Sequence, residues 1–71
     1  MTDLTGKKVR INADKMLAHE ADIYPILISF IKKNRDTIFT ATPYPKYDNT
    51  YTFRENDDWC FRFCDLIEVE D

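Results

Sequence analysis

Glycine and histidine are nearly absent from this sequence, and their scarcity excludes several kinds of site. The chain has 71 residues and one glycine, Gly6. Phosphate-binding loops and dinucleotide-binding fingerprints need several glycines, so both are excluded. The one histidine, His19, has no second imidazole with which to form a zinc pair or a proton relay. At this length we expect one small domain, residues 1–71, with a small core.

Long apolar runs and cysteines are also scarce. The run Ile26–Ile28 ends at Ser29, whereas a membrane-spanning helix needs about 20 apolar residues. The first ten residues are polar and charged, unlike a secretion signal. Cys60 and Cys64 would lie about 13 Å apart in a strand, too far for a disulfide, although a helix would make them neighbours. We therefore expect free thiols and a soluble, cytoplasmic protein.

Charge is present in both signs but is unevenly distributed. The net charge is −3, with a balance of +3 over residues 1–35 and −6 over residues 36–71. An overall negative charge disfavours nucleic acid and anionic membranes as partners. The second half is interpreted as a solvated surface with an acidic tail, and a basic partner for this half is the alternative.

Hydrophobic patterns predict five short strands. Lys8–Ile11 alternates polar and apolar residues after Gly6, and residues 37–42 are rich in β-branched types. Residues 50–54 and 59–63 alternate as well, and residues 65–69 form a short turn and a final strand. Within residues 59–63, three aromatic side chains share one face: Trp59, Phe61 and Phe63. With Phe39 and Phe53, they are expected to fill the core.

One helix is predicted after the first strand. Apolar residues recur at helical spacing over residues 23–33, namely Ile23, Ile26, Leu27, Phe30 and Ile31. Asp22 is a candidate N-cap, Pro25 fits the first turn, and Asn34 is expected to end the helix in a left-handed conformation. Asn12 is a turn residue or an N-cap, and residues 13–22 are predicted to form a long loop with a helical turn. Five strands and one short helix can curl into a small barrel.

The order of these motifs resembles the small SH3-like barrel proteins of phages and prophages. The matching segments are Gly6–Ile11, Ile26–Phe30, Thr37–Phe39, Tyr51–Phe53, Trp59–Phe61 and Leu66–Val69. The resemblance implies a mainly β fold, a five-stranded SH3-like barrel with one short inserted helix. It implies no shared chemistry, because members of a fold class differ in function.

Neither catalysis nor metal binding is indicated by the side chains present. His19 is the only ordinary base and lies in a polar segment, and the acidic residues 55–58 are expected to form a solvated hairpin tip. Cys60 and Cys64 lack the spacing of zinc ligands and are interpreted as small hydrophobes, buried or half-buried. We expect no enzymatic activity, no cofactor and no metal.

Two binding surfaces are predicted. The first is the proline-containing loop with Tyr44, Lys46 and Tyr47, whose aromatic rings are expected to be exposed; Tyr51 and Trp59 are further candidates. The second is acidic and comprises Glu55, Asp57, Asp58, Glu68 and Glu70.

The predicted role is that of a small phage-type accessory protein that binds a host or antiviral-defence protein. The most specific version of this prediction is that the protein inhibits or modulates a nuclease. The alternative is a nucleic-acid-binding barrel, for which the aromatic loop would combine with Lys32, Lys33 and Arg35. A further alternative is a weakly self-associating structural protein.

Overall fold

Five strands and two helices make up the part of the chain that the structure, a computed structural model, describes: residues 3–69. In chain order they are β1 (Lys8–Ile11), α1 (Ala13–Leu17), α2 (Pro25–Lys33), β2 (Phe39–Pro43), β3 (Thr50–Phe53), β4 (Phe61–Arg62) and β5 (Leu66–Glu68). Two 3₁₀ turns lie at Glu20–Asp22 and Phe63–Asp65. The prediction of a mainly β fold with five strands is confirmed.

The strands form one antiparallel sheet in the order β4-β3-β2-β1-β5. The first strand lies between the second and the last, so that Val9 is opposite both Phe39 and Glu68. On the other side of β2, Ala41 is opposite Phe53. No pairing joins β4 to β5 within residues 3–69, so the described sheet is open.

Aromatic rings from three strands form the centre of the core. The Phe53 ring lies 4.1 Å from that of Phe39 and 5.1 Å from that of Phe61, measured between centroids, and all three residues are buried. Phe30 of α2 stacks on the Phe39 ring at 6.3 Å. The remaining buried apolar residues are Leu4, Val9, Ile11, Ala13, Ile31, Ala41, Tyr51 and Leu66, with Trp59 and Phe63 packed half-buried against them. The expectation that five aromatic residues fill the core is confirmed for Phe39, Phe53 and Phe61 and only in part for Trp59 and Phe63.

A second helix replaces much of the predicted long loop. Asn12 is an N-cap: its side-chain oxygen accepts a hydrogen bond from the Lys15 N–H at 3.4 Å, and α1 follows at once. Buried Ala13 and half-buried Met16 anchor this short helix to the core. Prediction of a single inserted helix was therefore incomplete.

The longer helix begins later than predicted, and Asp22 is not its N-cap. Tyr24 is extended, with φ −61° and ψ 137°, because the residue before a proline is excluded from the helical region. Pro25 then takes the first helical position, as expected. The predicted left-handed Asn34 is also wrong, since its φ is −111° and its side-chain amide instead donates to the Phe30 carbonyl at 3.0 Å.

Only part of the predicted apolar face of α2 reaches the core. Ile31 is buried, and Leu27 and Phe30 pack against the core, but Ile26 is 74 % exposed and Ile23 precedes the helix. Starting the helix at Pro25 puts Ile26 in its first turn, where its side chain is exposed. Neither helix within residues 3–69 is long and apolar enough to cross a membrane.

The fourth strand is shorter than predicted, and the interpretation of both cysteines as buried is wrong. The Trp59 carbonyl accepts from the Thr52 hydroxyl at 2.8 Å in place of a strand ladder, and the chain leaves β4 at Phe63 in a 3₁₀ turn. Cys60 and Cys64 are free and exposed. They flank the short edge strand β4: Cys60 precedes it, and Cys64 lies in the 3₁₀ turn that follows it.

Candidate functional site

The last residue of β2 and the connection to β3, residues 43–49, are here called the tyrosine loop. Its two ends are joined where the Tyr44 N–H donates to the Thr50 carbonyl at 2.9 Å. Asn49 has a φ of 54°, the left-handed conformation that asparagine tolerates better than most residues, and it returns the chain to β3. Two prolines, Pro43 and Pro45, fix further backbone angles. The loop therefore presents its side chains from a frame with few free torsions.

The structure brings together the three residues that sequence analysis assigned to this loop. The Tyr44 and Tyr47 rings stack with centroids 5.9 Å apart and planes inclined by 22°. The Lys46 ammonium lies 5.7 Å from the centroid of the Tyr47 ring, within the range of a cation–π contact. Tyr47 is 57 % exposed, and Tyr44 is half-buried. The pair is a rigid aromatic surface that partly faces solvent.

An open hollow of about 330 Å³ lies beside the tyrosine loop. The loop and the start of β3 form most of its lining, and Asp3 and Thr5 close it from the N-terminal segment. Its polar groups include two carboxylates, those of Asp3 and Asp48. Sequence analysis missed the contribution of Asp3 and Thr5, which no local pattern connects to a loop some forty residues away.

Tyr51 joins the N-terminal segment to the sheet beneath the hollow. Its hydroxyl donates to Asp3 Oδ1 at 3.0 Å and accepts from the Leu4 N–H at 3.2 Å. Thr5 donates to the same Asp3 oxygen through its hydroxyl and its N–H, and these bonds lower the pKa of the Asp3 carboxyl, with the Thr5 hydroxyl first among them. The expectation that Tyr51 is an exposed aromatic is wrong: it is 6 % exposed, because β3 turns it inward beside Phe53.

The second predicted surface, the acidic one, is partly occupied by contacts within the chain. The Glu55 carboxylate accepts from the Thr40 N–H at 2.7 Å and from its hydroxyl at 2.8 Å. The backbone hydrogen bond is the main cause of the lowered pKa of Glu55. Glu68 pairs with Lys7 at 3.6 Å. Both side chains thus have structural partners.

The other acidic residues occupy two ends of the strand order. Asp57 and Asp58 are exposed in the turn before β4, where the Asp58 N–H donates to the Asn56 side chain at 3.0 Å. Glu68 lies on β5, at the opposite edge of the sheet. Glu70 lies outside the described residues. The structure gives no contact, within residues 3–69, that gathers these carboxylates into one group.

The basic residues considered for nucleic-acid binding are likewise engaged or separate from the tyrosine loop. Arg35 pairs with Asp14 of α1. Lys32 and Lys33 lie in the last turn of α2, where cations stabilise the helix end. Within the described part of the chain, the structure shows no direct contact between these three basic side chains and the tyrosine loop.

A second hollow, of about 360 Å³, contains the histidine and one cysteine. Lys15 anchors one wall: its ammonium donates to the Cys64 carbonyl at 2.7 Å and pairs with Asp65 at 3.2 Å. The hydrogen bond to Asp65 is the main cause of the raised pKa of Lys15, so this amine stays protonated and is no base near neutral pH. Arg62 reaches the other Asp65 oxygen at 3.8 Å. These contacts hold α1 against the 3₁₀ turn before β5, a structural task.

Acidic, thiol and imidazole groups do not gather into a metal site. Within residues 3–69, no three of the histidine, cysteine, aspartate and glutamate side chains lie close enough to hold an ion.

Comparisons of the chain with protein-family models, curated proteins and solved structures give no significant match. Among the described residues, the tyrosine loop and the surfaces around it form the candidate site.

Proposed function

We propose that this protein is a small SH3-like barrel that acts by binding another protein through the tyrosine loop. The observation that carries the proposal is the stacked Tyr44–Tyr47 pair, which is presented on a proline-framed loop and borders an open hollow. Tyrosines on a preordered frame contribute contact area at little entropic cost and are enriched at protein interfaces. The SH3-like part of the proposal rests on the sequence resemblance and on the five-stranded antiparallel sheet; β4 and β5 are not paired within residues 3–69.

The tyrosine loop is favoured over the acidic surface because of how each is used inside the chain. Glu55 and Glu68 already bind Thr40 and Lys7, and a partner would have to displace those contacts. Tyr47 is 57 % exposed and stacks only on Tyr44 among the aromatic side chains described. A partner can therefore cover it without breaking a bond to the core.

The class of partner is proposed by analogy with small acidic phage proteins, since the family resemblance itself implies a fold and no shared function. A chain of this kind would bind a host or antiviral-defence protein and modulate it, acting without chemistry of its own. A net charge of −3 opposes the alternative of nucleic-acid binding, which depends on neutralising phosphates.

Affinity capture in bacterial cells tests this function. The tagged protein is compared with Tyr47→Ser and with the matched control Tyr24→Ser, which removes a 75 % exposed tyrosine from a different surface. Proteins captured by the wild type and by Tyr24→Ser should be lost with Tyr47→Ser. Equal capture by all three forms would refute the role of the tyrosine loop, and loss with Asp57→Lys/Asp58→Lys would assign binding to the acidic surface instead.

Two further measurements separate the alternatives. Retention on immobilised DNA or RNA that falls steeply with salt would establish the nucleic-acid alternative, and we expect no retention even at low salt. Sedimentation at two protein concentrations should give one unchanged monomer mass. A rise in mass with concentration would indicate a self-associating protein.

A further inference from the structure

Two aspartate residues, Asp3 and Asp48, line the hollow beside the tyrosine loop, and neither forms an ion pair with another residue of the range 3–69. The ion pairs of this range use Asp14, Asp65 and Glu68. Lys7 is near enough to Asp3 to act on it electrostatically but makes its own pair with Glu68. The hollow thus has negative charge that no described side chain neutralises by contact.

Asp3 is held in a fixed orientation at the rim of this hollow. Three donors converge on its Oδ1: the Thr5 N–H, the Thr5 hydroxyl and the Tyr51 hydroxyl. Its second oxygen, Oδ2, accepts no hydrogen bond from the described residues. These bonds stabilise the charged form of Asp3, and they leave one oxygen to accept from a ligand.

The tyrosine pair adds an aromatic surface suited to a cation. Ring faces carry partial negative charge, and the Lys46 ammonium already lies 5.7 Å from the Tyr47 centroid. Lys46 does not line the hollow, whereas Tyr44, Tyr47 and Asp48 do. Tyrosine and aspartate residues therefore border the same open volume.

We infer that this hollow receives an arginine side chain of the partner protein, an inference that rests on the proposed function. The hollow's charge selects a cation, and its volume of about 330 Å³ admits a long side chain. A guanidinium is planar, stacks on tyrosine, and directs donors to separate carboxylate oxygens, whereas an ammonium is a compact point charge. Arginine thus fits both the aromatic and the acidic part of the lining.

The test uses three blocked pentapeptides, Ala-Ala-X-Ala-Ala, in which X is arginine, lysine or citrulline. Citrulline has nearly the shape of arginine but no charge. Each is titrated into the full-length ¹⁵N-labelled protein, and amide shifts are followed by NMR. The arginine peptide should cause saturable shifts at Thr5 and at residues 46–51, the lysine peptide should bind about fivefold more weakly, and the citrulline peptide should cause none of these shifts.

Variants assign the effect to the hollow. Asp48→Asn should weaken arginine-peptide binding about fivefold, while the matched control Asp36→Asn, which neutralises an exposed aspartate elsewhere, should leave it unchanged. Tyr47→Leu should weaken it as well, and each variant's unshifted core amides show that it is folded. Equal binding of arginine and citrulline, absence of saturable shifts at the hollow, or equal effects of Asp48→Asn and Asp36→Asn would overturn the inference.

Failure here is distinguishable from failure of the proposed function. If Tyr47→Ser abolishes capture in cells while the peptides show no arginine preference, the protein-binding role stands and the arginine site is wrong. If the arginine peptide binds as expected but capture is unaffected by Tyr47→Ser, the site exists and the proposed role is wrong.

Discussion

Replacement of Phe53 by leucine tests whether the stacked phenylalanines hold this small sheet together. Phe53 is 1 % exposed and is the largest fully buried side chain. Leucine keeps an apolar side chain at this position but removes the ring contacts at 4.1 Å to Phe39 and at 5.1 Å to Phe61. Aromatic pairs contribute about 1 kcal/mol each beyond buried area, so their loss costs about 2 kcal/mol. The small cavity left behind adds about 0.5 kcal/mol.

That loss is large for a domain of this size. At about 0.1 kcal/mol per residue, the whole domain has a free energy of unfolding of about 7 kcal/mol. Phe53→Leu should therefore remain folded at 25 °C but melt about 10 to 20 °C lower than the wild type, since 1 kcal/mol shifts the Tm of a small domain by about 4 to 8 °C. Circular dichroism melts and urea titrations measure both quantities.

The matched control is Phe63→Leu. Phe63 is half-buried and packs against the core without belonging to a ring pair among the described residues. It should cost about 1 kcal/mol or less, in keeping with partial burial. A Phe53→Leu Tm within about 4 °C of the wild type, or a larger loss from Phe63→Leu, would refute the claim that the ring stack dominates the core.

Three other predictions concern acid stability, thiol exposure and helix capping. The pKa of Glu55 is lowered in the fold, so its stabilisation is complete above its unfolded value of 4.5 and is lost as pH falls through the folded value; Glu55→Gln should flatten the acid part of a Tm–pH curve, and an unchanged curve would contradict the bond to Thr40. Cys60 and Cys64 are exposed, so both should react with a thiol reagent in the native protein without prior unfolding, and protection of either until the protein is denatured would contradict their exposure. Asn12→Ala should cost about 1 kcal/mol in urea unfolding because it removes the cap of α1, while Asn12→Asp should retain most of the stability.

Local patterns predicted the strands well because their causes are local. Alternation placed Phe53 and Phe61 correctly, since successive side chains of a strand point to opposite faces, and β-branched composition located the strand that contains Phe39. The predicted start of α2 was wrong, although the sequence contained the residue that sets it. Pro25 restricts Tyr24 to extended backbone angles, and the spacing of apolar residues does not reflect this restriction.

Long-range contacts account for what the sequence did not reveal about the site. Prolines and tyrosines marked the tyrosine loop, but Asp3 reaches the hollow through Tyr51, 48 positions along the chain. Glu55 was interpreted as part of a free acidic tip, yet its carboxylate binds Thr40 across the β2–β3 pair. Both contacts depend on sheet register, which hydrophobic patterns constrain only through the burial of one face.

The position of β1 between β2 and β5 limits when the sheet can be completed during synthesis. Ile11 is paired with Leu66, so a strand near the start of the sequence receives its second neighbour from a strand near the end. While β2 and β3 can associate early as a hairpin, β1 keeps one open side during synthesis until Leu66–Glu68 has emerged from the ribosome. Long loop closure of this kind slows folding. Completion of the native sheet is thus expected only after Leu66–Glu68 has become available to pair with β1.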